Sequence, residues 1–196
     1  MVNEEQDIAI VGISIFCPAG ESVEEFWDGI SRGGDFITEA PPGIIEPYYF
    51  EGQPNGIDQF YCKRGGFCRT FKVDPLRYGI LPITADGIDP DQFISMAGTE
   101  QALLDASVFE KGISLQKGSI IIGKGNFLGI VPLRNFEIIR VAWQFTSLLK
   151  SALPELTDED LMKVRKAYQA RQGRYQADMA IGTMPNLVAS LVANRF

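Results

Sequence analysis

The sequence contains no histidine, and that absence narrows the chemistry before any motif is read. A cysteine nucleophile needs a base or an electropositive setting that lowers its thiol pKa, and histidine is the usual partner. Cys17, Cys62 and Cys68 therefore read as structural bystanders. Three unevenly spaced cysteines suit neither a disulfide framework nor a zinc site, because both need paired ligands in defined geometry. They are expected to be reduced thiols in a reducing compartment. Positive charge is scarce as well: 18 lysines and arginines face 25 aspartates and glutamates, for a net charge of -7. Nucleic acid is thus not an expected partner, since neutralising phosphates takes a basic face. The densest basic stretch, Lys163 to Arg174, is interleaved with alanine and glutamine and reads as a solvated helix face. No window approaches the roughly eighteen apolar residues of a membrane span. The start, MVNEEQ, has neither the positive region nor the long apolar run of a secretion signal, so the cytoplasm is the expected location.

What is present can build a core. A chain of 196 residues that is 45% hydrophobic is long enough for one domain or a large part of one. Ile8 to Ile15 is continuously apolar, as expected of a strand buried on both faces of a parallel or mixed sheet. Ser22 then serves as an N-cap, with Glu24 and Glu25 in the first turn and Phe26, Trp27 and Ile30 forming an inward stripe. From Asp35 to about Thr70 the chain is rich in proline, glycine and aromatics, which favours a long ordered loop. Tyr48, Tyr49, Phe50 and Phe60 are expected to anchor it as a small satellite cluster.

Asp89-Pro-Asp-Gln predicts a helix start, with Asp89 as N-cap, Pro90 at the first helical position and Gln92 closing a capping box. That helix continues through Phe93, Met96, Ala97, Leu103 and Leu104. Gly98 in its interior costs about 1 kcal/mol unless close packing requires it. Ser107 to Lys117 is a turn region and Ser119 to Ile122 a second buried strand. Beyond Asn126 an apolar stretch runs through Trp143 and Leu149, followed by a loop at Pro154 and a charged helix opened by Thr157. Residues 127–180 are expected to form a helical insertion between core elements. Met184 to Phe196 closes the chain as an amphipathic helix in which Ala189, Ser190 and Ala193 permit close packing. There is no internal repeat.

Two motifs invite chemistry and fall short of it. Gly118, Gly123 and Lys124 match a phosphate-binding loop up to the lysine. The next residue is Gly125 where a magnesium-binding Ser or Thr belongs, and three isoleucines occupy what should be an open cradle of amides. Asp74, Asp86, Asp89 and Asp91 could suggest a carboxylate site, but capping accounts for Asp89 and turns for the others.

Taken in order, IAIVGIS, EEFW, the PP-then-YY loop, YCKRGGF, VDPLRYGI, DPDQ, LLDAS, IIIGKGN and MPNLVASLVANRF resemble the N-terminal half of a beta-ketoacyl synthase, over nearly the whole chain. The resemblance is nearest to the condensing domains of polyketide and polyunsaturated-fatty-acid synthases. It implies an α/β, thiolase-like fold, layered α/β/α/β/α in the complete homodimeric enzyme, with residues 1–196 as the N-terminal domain. It implies that the nucleophilic cysteine follows the segment matching LVANRF and that two histidines come later, so no catalytic residue, bound cofactor or metal ligand is assigned here. The reaction implied is decarboxylative Claisen condensation of acyl and malonyl thioesters, an acyltransferase chemistry. Phosphopantetheine arrives on an acyl carrier protein, and the C-terminal half of the ketosynthase is the second partner. Met184, Pro185, Asn186, Val188, Ala189 and Val192 match the segment beside the acyl pocket and the dimer interface. Such a half is expected to be inactive alone and to expose an apolar patch. Ala97, Gly98 and the GNFLGIVP run depart from the family pattern. They leave open a noncatalytic, degenerate interaction or dimerisation module.

Overall fold

The computed structural model describes residues 8–45, 47–50, 59–69, 71–125, 129–173 and 178–196. Asp7, Thr70, Asn126 and Arg174, and the side chain of Tyr48, lie outside what is described. The chain divides into two compact units, Met1–Lys72 with Gly98–Ile113 and Val73–Ala97 with Ser114–Phe196. Among the described residues no helix is long and apolar enough to cross a membrane.

In the first unit, helix α1 (Val23–Ser31) starts as its sequence predicts. The Ser22 hydroxyl accepts the Glu25 N–H at 3.1 Å, and the Glu25 carboxylate reaches back to the Glu21 N–H at 3.0 Å. The reciprocal bonds satisfy donors that a helix end leaves open. Its apolar stripe is not covered, however, since Trp27 and Ile30 remain exposed. Strand β1 (Ile37–Glu39) pairs antiparallel with β2 (Arg64–Gly66), placing Ile37 opposite Gly66. Within the stretch expected to be loop, this short ladder is reinforced by Arg64, whose Nη2 donates to the Ile37 carbonyl at 2.7 Å. The aromatic anchors gather beside it: Tyr49 stacks on Phe60 at 4.9 Å, and Lys63 sits 4.7 Å over the Phe50 ring.

The opening apolar segment differs from expectation. Residues 8–16 form no strand, and Ile8 is 96% exposed. A strand exists only with a ladder partner, and no described segment supplies one. The segment instead lies along the C-terminal half of helix α3 (Pro90–Asp105), where the Ile13 N–H donates to Asp105 Oδ2 at 2.9 Å and Ser14 Oγ to the Gly98 carbonyl at 2.7 Å. Gly12 permits this approach: a Cβ there would overlap the Ala102 carbonyl oxygen and stand 2.9 Å from Ala106 Cβ. Gly98 is explained by the same packing, because its Cβ would meet Ser14 Oγ at 3.3 Å. Gly12→Ala is therefore expected to lose about 1–3 kcal/mol, the range for forcing atoms into a filled contact. A lower urea midpoint with unchanged slope measures that loss.

The second unit is helical. Asp74 caps a 3-10 turn at Pro75–Tyr78 by accepting the Leu76 N–H at 3.0 Å, and α2 (Pro82–Ala85) leads to α3. Helix α4 (Ile130–Phe136) continues through a π turn (Glu137–Val141) into α5 (Ala142–Ala152). Thr157 and Asp160 then form a capping box at the start of α6 (Asp158–Arg171), as Thr157-Asp-Glu-Asp suggests. The hydroxyl and backbone of Thr157 hold the Asp160 carboxyl below its ordinary value. The basic stretch of α6 is not wholly solvated: Arg165 Nη2 donates to Thr146 Oγ1 at 2.9 Å, and Gln169 Nε2 to the Ile138 carbonyl at 2.8 Å, tying α6 to the preceding helix. The chain ends with α7 (Asp178–Gly182) and α8 (Leu187–Arg195).

The buried apolar side chains of this unit include Met96, Val131, Ile138, Ala142, Met179, Val188 and Val192. Leu104, placed on the inward stripe of α3 by its spacing, is exposed. Ser119 to Ile122 likewise forms no strand, and Ile121 is 93% exposed. The cause is again a missing neighbour: beyond β1 and β2, no ladder forms among the described residues.

Candidate functional site

The densest buried polar chemistry of the second unit surrounds the start of α3. Asp89 is the N-cap its sequence predicts and is only 4% exposed. Its carboxylate faces the N–H groups of Asp91, in its own helix, and of Val131, in the first turn of α4. Gly129, the N-cap of α4, makes the arrangement possible, because a Cβ there would overlap the Asp89 carboxylate. The second helix start had a sequence signal, a glycine followed three residues later by Pro132, a first-turn position where proline's missing N–H costs nothing.

Burial pushes the Asp89 carboxyl above its ordinary value, and the neighbouring Asp91 carboxylate adds to that rise. The two N–H groups and the Lys124 ammonium oppose it. Lys124 is itself paired with Asp91. The ammonium that the GKG motif might have offered to a phosphate is therefore committed to a carboxylate.

Gln92 departs from its expected role. It is 1% exposed and does not turn back to close a capping box; its Nε2 donates to the Gly182 carbonyl at 2.8 Å. Gly182 ends α7, two residues before Met184, so Gln92 anchors the backbone that leads into the closing helix. Asn135 holds the other end of α7, donating from Nδ2 to the Met179 carbonyl at 3.3 Å. Arg134 Nη2 donates to the Asp86 carbonyl at 2.7 Å. Among the described residues, Asp89 Oδ2, Asp91 Oδ1, Gln92 Oε1, Arg134 Nε and Asn135 Oδ1 are buried without a hydrogen-bond partner.

Of the residues singled out in the closing segment, Val188 and Val192 are buried one turn apart on α8. Met184, Pro185 and Asn186 are exposed at its start, and Ala189 is half-buried. The segment therefore presents an open polar-apolar edge on a rigid base. Chemically the whole arrangement orients backbone. Its carboxylates are engaged in capping and ion pairing, and no three histidine, cysteine, aspartate or glutamate side chains gather as a metal site among the described residues.

The profile of the N-terminal domain of beta-ketoacyl synthases matches residues 5–196, and the chain belongs to that family. It is 28% identical to a polyunsaturated fatty acid synthase polypeptide of Thraustochytrium sp. over 99% of this chain and 7% of that protein. It is 33% identical to polyketide synthase PksN of Bacillus subtilis over 63% of this chain and 2% of that protein. With 6-methylsalicylic acid synthase of Aspergillus terreus the identity is 31% over 62% of this chain and 7% of the relative. The chain thus spans only a small fraction of the length of these curated relatives.

Proposed function

We propose that this chain supplies the N-terminal half of a ketosynthase domain in a polyunsaturated-fatty-acid or polyketide synthase. Joined to the C-terminal half, it takes part in decarboxylative Claisen condensation of acyl and malonyl thioesters. The family match along residues 5–196 is the observation that carries this reading. The complete domain is thiolase-like, layered α/β/α/β/α and homodimeric, with residues 127–180 as a helical insertion. The exposed apolar runs at Ile8 and Ile121 support it, since both have strand composition and no strand beside them. Completing the sheet would cover that surface, which in an isolated chain favours association.

Condensation requires an activated thiolate, imidazoles that stabilise the enolate formed on decarboxylation, and donors for the oxyanion. With no histidine in this chain, those groups come from the second half. This half contributes scaffold and pocket wall: Met184, Pro185, Asn186 and Ala189 face the acyl chain or the dimer mate, while Val188 and Val192 seat the helix. Both substrates arrive as phosphopantetheine thioesters on acyl carrier protein in the cytoplasm, and the chain holds no cofactor of its own.

The test uses the full chain with acyl carrier protein loaded with a saturated acyl group. Alone, the chain is expected to gain no acyl mass on any of its three cysteines. Mixed with the C-terminal half of a related ketosynthase, it should restore malonyl decarboxylation. An acyl thioester recovered on the isolated chain contradicts the division of labour. A stable complex with the second half that neither acylates nor decarboxylates favours the noncatalytic module.

A further inference from the structure

Two of the three cysteines lie on adjoining segments of the first unit, which contact each other on either side of them. Cys17 opens a tight turn in which its N–H and carbonyl both bond to Gly20 at 3.0 Å. The stretch leaving β2 is held against that turn. A Cβ placed on Gly66 would lie 3.0 Å from Pro18 Cγ, and the rings of Phe16 and Phe71 meet edge to face at 4.8 Å. Between these contacts, Arg69 Nη1 stands 3.6 Å from Glu25 Oε2. With Pro18 beside Gly66 and Phe16 against Phe71, the segment that carries Cys17 runs beside the one that carries Cys68, and neither cysteine is in a disulfide. Burial pushes the Cys68 thiol up, with the Cys17 thiol the next cause and then Glu21. Cys62 is engaged elsewhere, its sulfur 3.5 Å from the Arg64 carbonyl oxygen and 3.4 Å from the Arg64 nitrogen.

We propose that Cys17 and Cys68 form a redox couple that closes an intrachain disulfide on exposure to a low-molecular-weight disulfide. One protein thiolate attacks the small disulfide, forming a mixed disulfide and expelling one small thiolate. The second protein thiolate attacks the protein-bound sulfur of that mixed disulfide, forming the Cys17–Cys68 bond and expelling the other small thiolate. The two cysteines are oxidised by two electrons, the small disulfide is reduced by two, and the two protons released end on the small thiols. The bond would lock the turn at Cys17 to the exit of β2 and close the chain segment between them, which restricts the unfolded state. Because the thiolate is the attacking species and Cys68 holds its proton more tightly than an ordinary thiol, closure is slow near neutral pH and speeds up as the solution is made alkaline.

The experiment treats the full chain with oxidised glutathione, blocks residual thiols with iodoacetamide and maps peptides without reductant. A Cys17–Cys68 peptide pair within single chains is expected, retained in Cys62→Ser. Cys17→Ser and Cys68→Ser should each lose it and trap glutathione on the remaining partner. Mapping of the unsubstituted chain decides the matter even where a variant folds poorly. A bond from Cys62, bonds only between chains, or stable glutathione adducts on both Cys17 and Cys68 of that chain overturn the proposal.

Discussion

Val192→Asp is expected to unfold the second unit, costing about 3–5 kcal/mol, the magnitude for leaving an uncompensated charge inside a protein. Val192 is 0% exposed on α8, and the cation nearest it in sequence, Arg195 in the last turn, is exposed. The next position is a built-in control. Ala193 is exposed, so Ala193→Asp should change stability by no more than about 0.5 kcal/mol, as surface substitutions do. Urea denaturation of the two variants side by side measures the contrast. Equal midpoints would mean that α8 is not seated on the core, and the assignment of Met184, Pro185 and Asn186 to a rigidly based wall would go with it.

Asp89→Ala is the second large effect. It removes a buried carboxylate that packs against Gly129 at the start of α4 and faces the N–H groups of Asp91 and Val131. Loss of a cap costs about 1 kcal/mol and a stranded buried donor about 1–3. Together these come to about 2–4 kcal/mol, and removing a buried carboxylate gives some of it back, so the net loss is expected at about 1–3 kcal/mol. Asp89→Asn separates the two contributions, since asparagine caps as well as aspartate but carries no charge.

The pH dependence follows from the direction of the Asp89 shift. Its carboxyl is raised above the ordinary value of 3.8, so the folded state binds the proton more tightly than the unfolded state. The associated stabilisation is fully present below that ordinary value and is lost as pH rises through the higher folded one. Wild-type stability should therefore fall, relative to Asp89→Asn, as the solution is taken from acid through the weakly acidic range, and the two curves should run parallel above it. Unfolding free energies measured across that range check the sign. A difference that widens toward acid instead would place the carboxyl below its ordinary value and refute the burial argument.

The parts of the fold that were legible in the sequence are those decided within one helical turn. Ser22 and Thr157 each cap the helix that follows because side chain and N–H lie three residues apart, and Asp89 stands directly before Pro90 at the start of α3. The same locality misled at Gln92. Its spacing suits a capping box, yet the side chain bonds the Gly182 carbonyl, a partner ninety positions away in the chain. No local rule can rank those two outcomes, since the winner depends on which backbone the folded unit brings near. Trp27, Ile30 and Leu104 show the complementary limit: periodicity names the apolar face of a helix, but coverage needs another element to lie on it.

The amino-acid sequence by itself determined the family, the capped helix starts, the lack of any histidine and hence of an imidazole-based centre in this chain. Those properties reside in residue identity, order and short-range backbone chemistry. Only the tertiary structure decided that Ile8 to Ile15 lies along α3 without strand partners, that the Asp89 carboxylate packs against Gly129, that Lys124 is tied to Asp91, and that Gln92 bonds the Gly182 carbonyl. Each of these joins residues tens of positions apart, and such a pairing acquires its energy only when folding brings the two groups to the same place.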